Sequence, residues 1–138
     1  MSEDDGGMVI LTVTFVVTAL ILWGVFVIVY VSQGRAGAQP NHFVGVRLPS
    51  TMRDSRSWVA AHEALGPLLR PSAITVFPLC VVSLALLAVN FVAAAIVSGV
   101  AFTVATVWIV VGAVVSDRAA KRVQASSSDP TMSERTLR

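Results

Sequence analysis

Ser72–Ser116 reads SAITVFPLCVVSLALLAVNFVAAAIVSGVAFTVATVWIVVGAVVS, 45 residues without one charged side chain. As a single helix it would be about 68 Å long, roughly twice the ~30 Å of a bilayer's hydrocarbon core. Two spans joined by a tight turn fit that length. Asn90 is the strongly polar side chain in the middle of the run, so the turn is expected there. Working outward, Met8–Val31 is a second uncharged run of 24 residues, long enough for one crossing with some tilt. The reading is an all-α membrane protein with three transmembrane helices, over 8–31, 71–89 and 94–116.

The composition agrees. Of the 138 residues 55% are hydrophobic and 13% charged, against about 25% charged in a typical soluble domain. The mean hydropathy is +0.77. A cleaved signal peptide would start basic and carry an apolar core of about 7–15 residues. Residues 1–7 are instead acidic (Glu3, Asp4, Asp5) and the apolar run is longer, which favours a retained span.

Charge gives the expected orientation. The 32–70 segment carries Arg35, Arg47, Arg53, Arg56 and Arg70, and the 117–138 tail carries Arg118, Lys121, Arg122, Arg135 and Arg138. Three spans put these two segments on one side, so all ten Lys and Arg fall together, the cytoplasmic side by the positive-inside rule. The N-terminus is then outside and the C-terminus inside. A basic cytoplasmic face suits anionic lipid head groups. Nucleic acid is not an expected partner, because no basic run carries interleaved aromatics. The Ser-rich tail has nothing to bury and reads as disordered, after a fraying helix end at 117–123.

The 32–70 segment holds both histidines, His42 and His62. Gln39-Pro40-Asn41 has turn chemistry. Phe43 to Pro49 reads as extended, with Pro49 biasing Leu48 that way. Asp54 or Ser55 suits a helix N-cap. Beyond it Trp58, His62, Leu65 and Leu69 recur at helical spacing on a stripe about 60° wide, with Arg56 and Glu63 opposite. That pattern predicts a short amphipathic interfacial helix over about 55–66, with Trp58 at head-group level. Gly66-Pro67 should end or kink it, Pro71 should occupy the first turn of the second span, and Pro78 should kink that span.

His62 within the apolar stripe is read as a packed histidine with satisfied ring nitrogens, the rival being a pH-responsive or ligand-touching group. Metal binding is not expected, since neither histidine has a ligand partner at HxxxH or HExxH spacing. Arg47 suits either a lipid phosphate or a carboxylate of the chain itself, such as Asp54 or Glu63. Cys80 is read as a small apolar filler. The spans hold no ionisable side chain of the kind that marks pumps and carriers. Ser98, Ala105 and Gly112 recur every seven residues, with Ala101 beside them, as a candidate helix-packing face. No nucleophile–base pair, phosphate loop or dinucleotide fingerprint is present, so no enzyme and no cofactor are expected.

Asn41-x-Phe43-x-Gly45-x-Arg47-x-Pro49 with Thr51, followed by Trp58-x-x-x-His62-x-x-x-Gly66, resembles the signature of the SdpI family of bacterial membrane proteins. That signature lies between a first span and a closing pair of spans, as here, and the chain looks like a short three-span form. The resemblance implies an inner-membrane protein acting by binding, in peptide-toxin immunity or in signalling that holds a repressor at the membrane. It also implies that Asn41, Phe43, Gly45, Arg47, Pro49, Trp58, His62 and Gly66 form a binding or fold-defining element. A membrane-protein partner or a homo-oligomer is expected. The alternative is a small accessory subunit of a larger respiratory or transport complex. The leaning to Val, Ala and Arg suits a high-GC bacterium such as an actinobacterium.

Overall fold

The computed structural model describes residues 3–33, 38–40 and 44–128, with side chains from Asp5 onward. Four helices follow in order: α1 (Glu3–Gln33), α2 (Ser55–Glu63), α3 (Gly66–Leu86) and α4 (Phe91–Ser127). Three stretches are long and apolar enough to cross a membrane, lying in α1, in α2–α3 and in α4. In each, 22% of the most apolar window is covered by protein. Ile10, Ile21, Ile74, Val81 and Ile96 all stand exposed by more than half of their surface. Water would penalise such a surface, whereas hydrocarbon does not. All four elements being helical follows from the same cause, since a helix satisfies its backbone polar groups within itself.

Two compact units divide the chain. One comprises the residues up to Ile28 together with Pro67–Val111; the other comprises Val29–Gly66 and the residues from Gly112 on.

In the first unit the three apolar helices meet along narrow seams. α1 buries Thr12, Val16, Ala19 and Phe26; α3 buries Ser72, Val76, Cys80 and Ser83; α4 buries Ala94, Ser98, Ala101 and Ala105. The spacing of three and four residues keeps each seam on one helix face. Val16, Ala19, Val76, Cys80, Ala101 and Ala105 form the core, with Leu22, Leu79, Val104 and Trp108 against it. Small side chains dominate because apolar burial drives no association in lipid, so stability comes from close backbone approach. Polar side chains turn inward to serve the same contacts. Trp23 donates its indole N–H to the Ser72 hydroxyl at 3.2 Å, Trp108 donates to Thr75 at 2.8 Å, and Ser83 donates to the Ala94 carbonyl at 2.9 Å. Phe15 stacks on Phe102 with centroids 5.5 Å apart.

The turn between α3 and α4 falls where Asn90 predicts it. The Asn90 side chain accepts from the Ala93 N–H at 3.0 Å, capping α4. Ser98, Ala101, Ala105 and Gly112 of α4 are all buried.

Three helix boundaries differ from expectation. α2 ends at Glu63, not 66, because Pro67 has no N–H to offer the Glu63 carbonyl. Gly66-Pro67 therefore opens α3 rather than closing α2, and Pro71 lies inside α3 with Pro78. α4 runs eleven residues past 116, through the segment expected to fray, to Ser127. Its buried stripe continues there through Gly112, Ser116 and Ala120, so packing rather than propensity carries the extension.

Candidate functional site: a loop locked onto a buried Trp–His helix

The second unit contains the Gly45–Gly66 part of the signature. Asp54 caps α2: its carboxylate accepts from the Ser57 N–H at 2.7 Å and from the Ser57 hydroxyl at 3.0 Å. These bonds, the backbone one first, hold the Asp54 carboxyl below the usual carboxylate range. The cap fixes the rotation of α2 and so the direction of Trp58, Ala61 and His62. All three are fully buried, and Leu65 is 1% exposed.

This corrects one expectation. The apolar stripe Trp58–His62–Leu65 is covered by protein, so Trp58 does not sit at a lipid head-group surface. Its indole N–H reaches Gln33 at the end of α1 at 3.3 Å, and its ring lies against the His62 imidazole with centroids 4.3 Å apart. The stripe was amphipathic in sequence, but the surface it covers is the chain itself. Leu69, its fourth member, belongs to α3 and is half-buried.

The loop before α2 folds onto this face. Nε2 of His62 accepts from the Val46 N–H at 2.9 Å, while Nδ1 faces the Trp58 carbonyl at 2.7 Å. Both ring nitrogens are thus satisfied by backbone, which requires the neutral Nδ1–H tautomer. Burial pushes the His62 imidazolium down from its ordinary value of 6.5, partly opposed by the bond to Trp58. Gly45 makes the close approach possible. Its φ is +127°, and a Cβ there would stand 2.5 Å from Trp58 Cη2 and 2.8 Å from His62 Nε2. Only glycine meets both demands.

Thr51 closes the loop on itself. Its hydroxyl receives the Leu48 N–H at 3.0 Å and lies 2.5 Å from the Val46 carbonyl, and its backbone N–H returns to Leu48. The far side of the loop is tied to α4. The Ser50 hydroxyl donates to Asp117 at 2.5 Å, and Asp117 also pairs with Lys121 at 2.7 Å. The Gln124 amide donates to the Ser50 carbonyl at 2.6 Å and to the Ser57 hydroxyl at 3.1 Å. Ser116 donates to the Ala61 carbonyl at 2.9 Å, joining α4 to α2. At the other end of α2, Gly66 sits under the Tyr30 ring, where a Cβ would come within 2.9 Å of Cε2.

Of the signature residues, Gly45, Trp58, His62 and Gly66 come together in this lock. Arg47 and Pro49 sit in the same loop with their side chains exposed. Asn41 and Phe43 lie outside the described residues. Gln33, Tyr30, Ser50, Ser57, Ser116, Asp117 and Gln124 were not singled out in the sequence. For two of them, Ser116 and Gln124, a signal existed, because Gly112, Ser116, Ala120 and Gln124 recur every four residues and continue the small-residue stripe of α4. Among the described residues no group of three His, Cys, Asp or Glu side chains converges to hold a metal ion.

No curated protein and no solved structure matches the chain. The profile of the SdpI/YfhL protein family matches residues 38–116, more than half of the chain, and takes in the loop, the Trp–His helix and most of the two closing helices. With that match covering the lock and the helices that follow it in sequence, the chain belongs to the SdpI/YfhL protein family.

Proposed function

We propose that this multi-pass protein acts by binding, in toxin resistance or envelope signalling, through the outward side of the locked loop. The observation that carries this reading is that the lock is closed. The imidazole nitrogens of His62, the Thr51 hydroxyl and the Asp54 carboxylate are all engaged within the chain, while Pro49, Arg53 and Arg56 are exposed. A site built for catalysis presents its polar groups to a substrate; here they hold a backbone in one conformation and present the loop's exterior. Arg118, Lys121 and Arg122 on the extension of α4 are exposed in the same unit, and Ser50–Asp117 and Ser50–Gln124 bonds tie that extension to the loop. An anionic surface suits this collar, with anionic lipid head groups as the first candidate. We read this collar as facing the cytoplasm at a bacterial inner membrane, with the N-terminus outside; the gathering of Lys and Arg on one side supports that orientation.

Deleting the gene and challenging the cells with membrane-active peptides tests the reading. Increased sensitivity, rescued by the intact chain but not by one lacking the exposed arginines, is expected; unchanged sensitivity contradicts it. Purification in mild detergent separates the alternative, since stoichiometric co-migration with a large complex would identify an accessory subunit instead.

A further inference from the structure

His62 holds the loop with a lone pair. Nε2 accepts from the Val46 N–H at 2.9 Å, and Nδ1 must then carry the ring proton that faces the Trp58 carbonyl at 2.7 Å. A second proton has one place to go, Nε2. There it would point at the Val46 N–H, two donors facing each other, and the loop's bond to α2 would be lost. The Nδ1 bond to Trp58 would survive, so the damage is confined to the loop side. A Cβ built on Gly45 would stand 2.8 Å from Nε2, so the loop backbone passes close to this nitrogen, and the acceptor role of Nε2 toward the Val46 N–H is what holds it there.

Charged groups on the surrounding elements do not rescue the cation. The loop carries Arg47 and Arg53; α2 carries its cap Asp54, then Arg56 and Glu63; the end of α1 carries Tyr30; the α4 extension carries Asp117, Arg118, Lys121 and Arg122. Asp54 is occupied by Ser57, and Asp117 by Ser50 and Lys121. Glu63 is exposed. Both ring nitrogens face backbone. The Trp58 ring, tilted 41° to the imidazole, offers a partial offset through its π face.

We propose that His62 is a proton-operated latch: acidification of the compartment facing this element releases residues 44–48 from α2, while the Ser50 ties to α4 persist. The sign follows from burial. The folded-state value lies below 6.5, so the latch is fully closed above about pH 6.5 and opens as pH falls below it. The latch does not depend on what the loop's exterior binds.

The test uses the full chain in lipid nanodiscs between pH 8 and pH 5. In a Trp23→Phe/Trp108→Phe background Trp58 is the sole indole. Its emission should be quenched as the adjacent imidazole charges. Hydrogen exchange of the 44–49 peptide, corrected for the intrinsic rate, should lose protection by up to roughly tenfold per pH unit as pH falls below about 6.5, levelling off once the depressed folded-state value is passed. Peptides from α3 and α4 up to Val111 should be unchanged. His62→Gln should abolish the step and His42→Gln should retain it. A wild-type chain with no protection change across this range overturns the latch, as does a step that persists in His62→Gln. Should His62→Gln fail to fold, the imidazole resonances of the wild-type chain decide: a His62 that titrates with no change at the Val46 amide overturns it equally.

Discussion

Gly45→Ala is the most informative single substitution. The glycine sits at φ +127°, a conformation that costs a side-chain-bearing residue about 1–3 kcal/mol. The new methyl would also stand 2.5 Å from Trp58 Cη2, 2.7 Å from Cζ2 and 2.8 Å from His62 Nε2. Trp58 and His62 are both fully buried and hydrogen-bonded, so neither can swing away without breaking a bond. Overpacking of this kind costs about 1–3 kcal/mol. The two effects together predict a loss of about 2–6 kcal/mol from the second unit. Reversible unfolding in detergent, followed by Trp58 emission and by exchange of the 44–51 amides, reads this directly. Gly24→Ala is the control, since nothing lies within 4 Å of a Cβ there and Ala suits a helix interior, so it should not destabilise. Equal stability of the two variants would refute the packing argument, because only one of them meets an obstacle.

Other substitutions probe the remaining contacts. Gly66→Ala meets only the edge of the Tyr30 ring, a side chain that can give way, so it should cost less than Gly45→Ala, about 1 kcal/mol, and Tyr30→Ala in the same chain should remove that penalty. Asp54→Ala removes the cap of α2 and should cost about 1 kcal/mol, whereas Asp54→Asn should cost less, as measured by thermal unfolding. Gln124→Ala removes both amide bonds to the loop and should raise hydrogen exchange across the 48–52 turn without altering the 94–105 amides. Thr12 is fully buried with a hydroxyl that has no partner, unlike Thr14, Thr18, Thr103 and Thr106, which each donate to the carbonyl four residues back. The isosteric Thr12→Val should therefore stabilise the first unit by about 1 kcal/mol or more against unfolding in detergent.

The apolar helices were legible because lipid imposes a length and forbids charge, and both are visible in 72–116. The turn was legible through Asn90, whose side chain can cap a helix where its neighbours cannot. The burial of Ser98, Ala105 and Gly112 in α4 was legible because they are small at a fixed period. What the sequence hid were partnerships across distance. The stripe of Trp58 and His62 has the same period whether it meets lipid or protein, and only the fold distinguishes them. The end of α4 is polar and reads as frayed until Ser116 is seen to hold α2, and Asp117 and Gln124 the loop. Pro71 suits the first turn of a helix in isolation; Gly66-Pro67 starts that helix earlier because α2 has already ended. The signature residues were recognisable as a set, yet their physical roles differ. Gly45 gives room, His62 gives a lone pair, and Gly66 gives clearance to Tyr30.

The central claim is that His62 fastens the loop as a neutral Nδ1–H tautomer accepting from Val46. Nitrogen NMR of the imidazole in the nanodisc-embedded chain at pH 7.5 tests it most directly. A protonated Nδ1, a bare Nε2 and a coupling from Nε2 across the hydrogen bond to the Val46 amide are the predicted result. An Nε2–H tautomer, or a Val46 amide that exchanges as freely as an exposed loop, would contradict it.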